Sequence, residues 1–259
     1  MSVEAGAVPK RGHSIPLSVP RRLVCDLVHF ARRIPTVPVQ RVMDLHAVAE
    51  ARAACESRVG WTAVFTKALA VVCREVPEFR RAYLHYPRPR LYEHPAPAAS
   101  VAVERDFRGE PGVFFGYVES PDTLSLTDLD AAIRRYKTAP VEEVFAFTLW
   151  FLRFPRFFRR FTWWWILNVR GSRKAQFLGT FGVSSYAGLG AESLHPLSPL
   201  TITLNYGAVG PDGLAPVRLV YDHRVMDGAT VARALQDLER VLQCEILAEL
   251  RYLRAVEAA

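Results

Sequence analysis

No run of 18 apolar residues occurs anywhere in the chain, so no segment reads as a simple membrane-spanning helix. The opening residues, MSVEAGAVPKRGHS, lack the apolar stretch of a signal peptide, and the expectation is a cytoplasmic protein. The four cysteines (Cys25, Cys55, Cys73 and Cys244) stand far apart without a CxxC pair. They are expected to be reduced thiols, with no metal site. Zinc-finger, helix-turn-helix and RNP patterns are missing too, so nucleic acid is not an expected partner. Gly/Ser- or Pro-rich linkers and internal repeats are absent, which favours one domain, residues 16–259, behind a flexible arm at residues 1–15.

What is present is a globular composition. Half of the 259 residues are hydrophobic and 23% are charged, which excludes wholesale disorder and fibrous classes. Lysine plus arginine outnumber aspartate plus glutamate 33 to 26, a net charge of +7 carried mostly by arginine. A positive field attracts anionic lipid and phosphorylated cofactors as well as nucleic acid.

Along the chain, Pro20 sits where a helix can begin, and Leu23, Leu27, Phe30 and Ala31 keep helical spacing up to Arg33. Val37, Val39 and Val42 suggest a strand running into Asp44, which can cap a helix over 45–56. A second apolar helix follows Thr62 and ends before Pro77. Residues 83–98, with four prolines, read as a loop or an edge strand. Residues 100–104 and 113–118 alternate as a hairpin around 108–112, and Ser125 or Thr127 can cap a helix reaching Lys137. Strands are expected at 181–185, 200–206 and 217–221, and a long helix from about Ala229 to Tyr252 closes the chain. Helices first and strands later make an α+β pattern rather than a βαβ repeat.

One local sequence outranks the others: Tyr221-Asp222-His223-Arg224-Val225-Met226-Asp227-Gly228-Ala229, where a strand gives way to a helix. Histidine is the side chain whose ordinary titration suits it to take a proton and return it. Asp227, four residues on, stands near a helix start, where the dipole favours a carboxylate. Gly228 would permit a tight turn with positive φ. A strand-end histidine alone serves structure more often than chemistry; the full nonapeptide is a stronger signal.

That nonapeptide resembles the DHRxxDG signature of dihydrolipoamide acyltransferases, the acyl-transferring cores of 2-oxoacid dehydrogenase complexes. Its shorter HxxxDG form is shared with chloramphenicol acetyltransferase and peptide-synthetase condensation domains. GWTAVFTKALAVVCREVP (60–77) is similar to a helix of the family, FGVSS (181–185) to its FTISS strand, and 19–34 to its first helix. The resemblance covers roughly 19–242, less one insertion.

It implies a chloramphenicol-acetyltransferase-like α+β fold, a two-layer sandwich with a mixed sheet covered by helices. It implies acyl transfer between a thioester, acyl-coenzyme A, and a thiol, hydroxyl or amine acceptor on a small molecule or carrier. His223 would be the general base and Ser184 the hydroxyl that binds the oxyanion. Asp227 would pair with Arg21 or Arg22 of the first helix, and Asp222, Arg224 and Gly228 would support the site. The family forms trimers with shared active sites, some assembled into cages. No lipoyl segment precedes this core, so lipoamide would have to come from another chain. ERDFRGEPG after Val103 departs from the family's TPxGLIVPVI. The rival expectation is a non-catalytic trimeric scaffold.

The insertion, residues 144–174, carries eleven aromatics between Phe145 and Trp165 and no acidic residue between Glu143 and Glu192. Its apolar run over 144–152 is too short to span a bilayer, and Pro155 breaks any helix near its middle. Aromatics beside arginines suit a subunit contact, a membrane surface or the wall of an acyl-chain tunnel.

Overall fold

The computed structural model describes residues 12–258, so most of the expected arm at 1–15 lies outside the described residues. Its centre is a six-stranded mixed sheet in the order β1-β8-β7-β6-β4-β5. The strands are β1 (Thr36–Asp44), β4 (Ala98–Phe107), β5 (Glu110–Glu119), β6 (Phe181–Ser184), β7 (Ile202–Tyr206) and β8 (Leu214–Asp222). β4–β6 and β6–β7 run parallel and the remaining neighbours antiparallel. The α+β expectation therefore holds.

Local chemistry accounts for most boundaries. Helix α1 (Val19–Ala31) starts where the Ser18 hydroxyl accepts the Arg21 amide, with Pro20 in the first turn. Helix α2 (His46–Ala53) begins after Asp44, whose carboxylate accepts the His46 amide at 3.0 Å. Helix α3 (Trp61–Glu75) buries Ala63 through Cys73 almost without a break, because it lies between the sheet and two other helices. These are α4 (Leu126–Thr138), capped by Ser125, and α9 (Gly228–Val241). Arg108 and Gly109, both at positive φ, make a two-residue turn, so the β4–β5 hairpin is longer and tighter than the sequence pattern indicated.

Two segments differ from expectation. Residues 83–98 contain no single edge strand: β2 (Arg81–Leu84) and β3 (Arg90–Glu93) pair as a separate two-stranded sheet. The closing helix is α9, one π-helical turn over Leu242–Ile246, and α10 (Leu247–Glu257), so the single long helix carries a bulge. The aromatic insertion is helical, with α5 (Val141–Val144), α6 (Ala146–Phe151), α7 (Arg156–Asn168) and α8 (Gly171–Leu178). Pro155 is the residue that launches α7. No helix among the described residues is long and apolar enough to cross a membrane.

Helix α7 is fastened to α1 by a buried ion pair, Arg159 Nε to Asp26 Oδ2 at 2.7 Å, and by Trp163 stacked on Phe30. Arg159 also donates to the Phe154 carbonyl at 2.7 Å. Two buried charges are tolerated here because each is hydrogen-bonded.

Candidate active site

Strand β8 ends at Asp222, paired across β1 with Thr36, and the chain turns immediately into α9. Asp222 is buried and shapes that turn. It accepts the Arg224 amide at 3.0 Å and the Arg224 guanidinium through both oxygens, at 2.9 and 2.7 Å. The fork-to-fork geometry suits arginine rather than lysine. Arg224 then lies over the Tyr83 ring of β2, 4.5 Å from its centroid.

His223 stands between these two residues. Its amide donates to the Pro35 carbonyl at 3.0 Å, and its side chain is 49% exposed. Nδ1 lies 3.2 Å from the Met226 carbonyl oxygen. A carbonyl can only accept, so this bond puts the proton on Nδ1 and leaves the lone pair on Nε2. The arrangement yields an oriented, partly exposed imidazole able to receive a proton.

Asp227 departs from expectation. It occupies the N-cap position of α9, but its carboxylate caps no amide, is largely exposed, and faces His223 Nδ1 at 3.5 Å. Among the described residues neither Arg21 nor Arg22 pairs with it. Both belong to the exposed first turn of α1, and Arg22 Nε donates to the Leu17 carbonyl instead. The buried ion pair that α1 does make uses Asp26 and an arginine of the insertion. Gly228 has no positive φ; its constraint is close approach, since a Cβ there would meet the Tyr221 hydroxyl at 3.2 Å.

Ser184 closes β6 and is half-buried. The Ser185 hydroxyl is occupied, donating to the Tyr206 carbonyl and accepting the Ala187 amide. The Ser184 hydroxyl makes no hydrogen bond among the described residues. Ser184 and His223 do not meet within one chain. Ser184 pairs with Asn205, Asn205 pairs with Arg218, and His223 follows Arg218 by five positions. At about 3.3 Å per residue, that is roughly 16 Å along the strand direction, Ser184 lying level with the middle of β8 and His223 just beyond its end.

Lys174 of α8 is a site residue that the motif did not announce. It is fully buried beside Asp222 and Arg224. Burial pulls its ammonium down to about 8, with Asp222 opposing the shift and Arg224 adding to it. Its only sequence signal was position, within the acid-free stretch between Glu143 and Glu192. No cluster of side chains among the described residues could hold a metal ion.

No protein-family model matches the chain, and no curated protein sequence matches it either. Solved structures do. The dihydrolipoamide acetyltransferase of Azotobacter vinelandii superposes with a TM-score of 0.68 at 20% identity, over 93% of this chain and 94% of that one. That structure belongs to an investigation of the role of a serine, a histidine and an asparagine four residues after the histidine in the catalytic mechanism of that enzyme. The cubic core of a pyruvate dehydrogenase multienzyme complex gives 0.67 at 19% identity, covering 93% and 94%. A 2-oxoacid dehydrogenase catalytic core from Thermoplasma acidophilum gives 0.63 at 16% identity, covering 90% and 99%. The chain has the fold of a dihydrolipoamide acetyltransferase catalytic core.

Proposed function

We propose that this protein is an acyltransferase that moves an acyl group from a thioester, acyl-coenzyme A, to a thiol, hydroxyl or amine acceptor. The observation that carries the reading is His223, held through Nδ1 by the Met226 carbonyl with Nε2 free to act as a base. In the reaction, Nε2 takes the proton of the acceptor as its heteroatom attacks the thioester carbonyl. The tetrahedral oxyanion forms, the carbon–sulfur bond breaks, and the departing thiolate recovers the proton from Nε2. No acyl-enzyme is required.

In this reading the Ser184 hydroxyl is the oxyanion donor to a site whose His223 comes from a neighbouring copy, a reading supported by the strand register that separates the two residues within one chain. The uncommitted hydroxyl supports Ser184 over Ser185. A homotrimer with sites between subunits satisfies this separation, and the cubic-core neighbour is compatible with a larger cage. Cations for a phosphorylated thiol are at hand in Arg32 and Arg33, at the end of α1 just before Pro35, the backbone partner of His223. Partial burial and then Arg160, Arg33, Arg32 and Arg156 hold the nearby His29 below its usual range, a sign of the positive field there.

The test is a thiol-release assay with acetyl-coenzyme A and dihydrolipoamide. Wild type is expected to release coenzyme A. His223→Ala should lower the rate by about 10²–10⁴-fold while circular dichroism and assembly size stay unchanged. A folded His223→Ala protein with the wild-type rate would remove His223 as the base.

A further inference from the structure

Between α1, α6, α7, α8 and the 198–200 loop the insertion forms an open-mouthed cavity of about 460 Å³. Such a volume is within the range of small-molecule sites. Its wall is built chiefly from the rings of Phe115, Phe147, Trp150, Phe151, Trp163 and Trp165. The frame is pre-formed, because the buried Arg159–Asp26 pair and the Phe30–Trp163 stack fix α7 against α1.

The polar side chains on the wall are few: the hydroxyls of Ser100, Thr148, Thr162 and Ser198 and the Arg173 guanidinium. Two hydroxyls are engaged locally, Thr162 donating to the Phe158 carbonyl and Ser198 accepting the Leu200 amide. The wall contains no carboxylate and no carboxamide. The charged group is Arg173, which is exposed, donates a hydrogen bond to the Gln176 side chain at 3.2 Å, and pairs with no carboxylate among the described residues. No acid stands within the insertion to neutralise it. Phe147, Trp150, Phe158 and Phe177 both line the cavity and remain exposed, so apolar area is still open to an occupant.

We propose that this cavity binds a single-chain anionic amphiphile, with the apolar tail among the aromatic rings and the negative head on Arg173. The proposal is independent of acyl transfer at His223. The head chemistry could belong to a free fatty carboxylate or to an anionic lipid in a surface.

Trp150, Trp163 and Trp165 make the occupant observable, because a bromine-labelled chain quenches indoles that it touches. Titration of bromine-labelled dodecanoate into the intact protein should give saturable quenching. Arg173→Gln, at an exposed position, should weaken binding by about tenfold, with Arg173→Lys recovering part of it. Thr148→Phe, which fills the cavity from α6, should abolish quenching in a protein whose melting curve is intact. His223→Ala should bind as wild type does, which separates this test from the catalytic one. A second arm uses bromine-labelled lysophosphatidylglycerol, a single-chain anionic lipid, carried in phosphatidylcholine vesicles: Arg173-dependent quenching seen only there assigns the lipid as the source. Equal binding of a dodecyl ammonium, quenching indifferent to both Arg173→Gln and Thr148→Phe, or no quenching in either arm would overturn the proposal. Flotation with vesicles without chain-dependent quenching would overturn it too, in favour of a flat membrane patch.

Discussion

His223 is oriented by main chain, through its own amide to Pro35 and its Nδ1 to Met226, while the carboxylate four residues on is exposed and 3.5 Å away. A base held in this way keeps its tautomer without a buried acid behind it. Ser184 is asked for a different contribution, one hydrogen bond that strengthens as charge develops on the oxygen. Ser184→Ala should therefore lower kcat by about 10²-fold with little change in KM. Steady-state kinetics over a range of acyl-coenzyme A would show it, and a KM effect with kcat preserved would make Ser184 a binding residue.

Lys174 bears on stability rather than chemistry. Its folded pKa, about 8, lies below that of the unfolded chain, so the folded state releases the proton first as pH rises. Burying the charged ammonium costs stability fully below pH 8, and the cost is relieved above it. Wild type should gain about 2 kcal/mol between pH 8 and 10 relative to Lys174→Met. Denaturant unfolding of the two proteins at matched pH reads this difference, in which the tyrosines common to both cancel. Parallel pH profiles would contradict the burial argument.

At the scale of elements, the α1–α7 clasp has the largest single leverage. Asp26→Asn leaves Arg159 buried without its counter-charge and should cost about 3–5 kcal/mol, measured as a fall in unfolding free energy. A loss below about 1 kcal/mol would mean that the pair is solvated on unclasping. This clasp was not legible in the sequence. Arg159 reads as one more arginine in an aromatic run, and its partner is 133 residues away in a helix face that looks otherwise apolar. Elements with local causes were legible: the Ser125 cap, the Pro20 start, Asp44 before α2, and the hairpin alternation. The nonapeptide located the strand-to-helix turn because Asp222 and Arg224 fold on each other within three residues. Gly228's constraint, which is not a positive φ, and the small β2–β3 sheet were not legible, because they depend on the approach of Tyr221 and on the pairing of two short strands; within one chain, among the described residues, Asp227 meets neither Arg21 nor Arg22.

On the proposed mechanism, the molecule is incomplete as a single copy. Ser184 and His223 are separated by about five residues along the strand direction, and the insertion leaves Phe147, Trp150, Phe157 and Phe161 more than half exposed. An apolar surface of that extent is covered by something in a working protein. The shared-site account asks for an assembly of three or a multiple of three, which sedimentation at micromolar concentration would register. Its central claim is that each active site takes His223 from one copy and Ser184 from the next. Co-expression of Ser184→Ala with His223→Ala chains tests this most directly, because neither variant alone carries an intact site in any arrangement. In a mixed cyclic trimer, about a quarter of the interfaces unite an intact His223 with an intact Ser184. The thiol-release rate of the co-purified assembly should then rise to about a quarter of wild type. A rate no greater than the weighted sum of the two single variants, in assemblies shown by mass spectrometry to contain both chains, would contradict it.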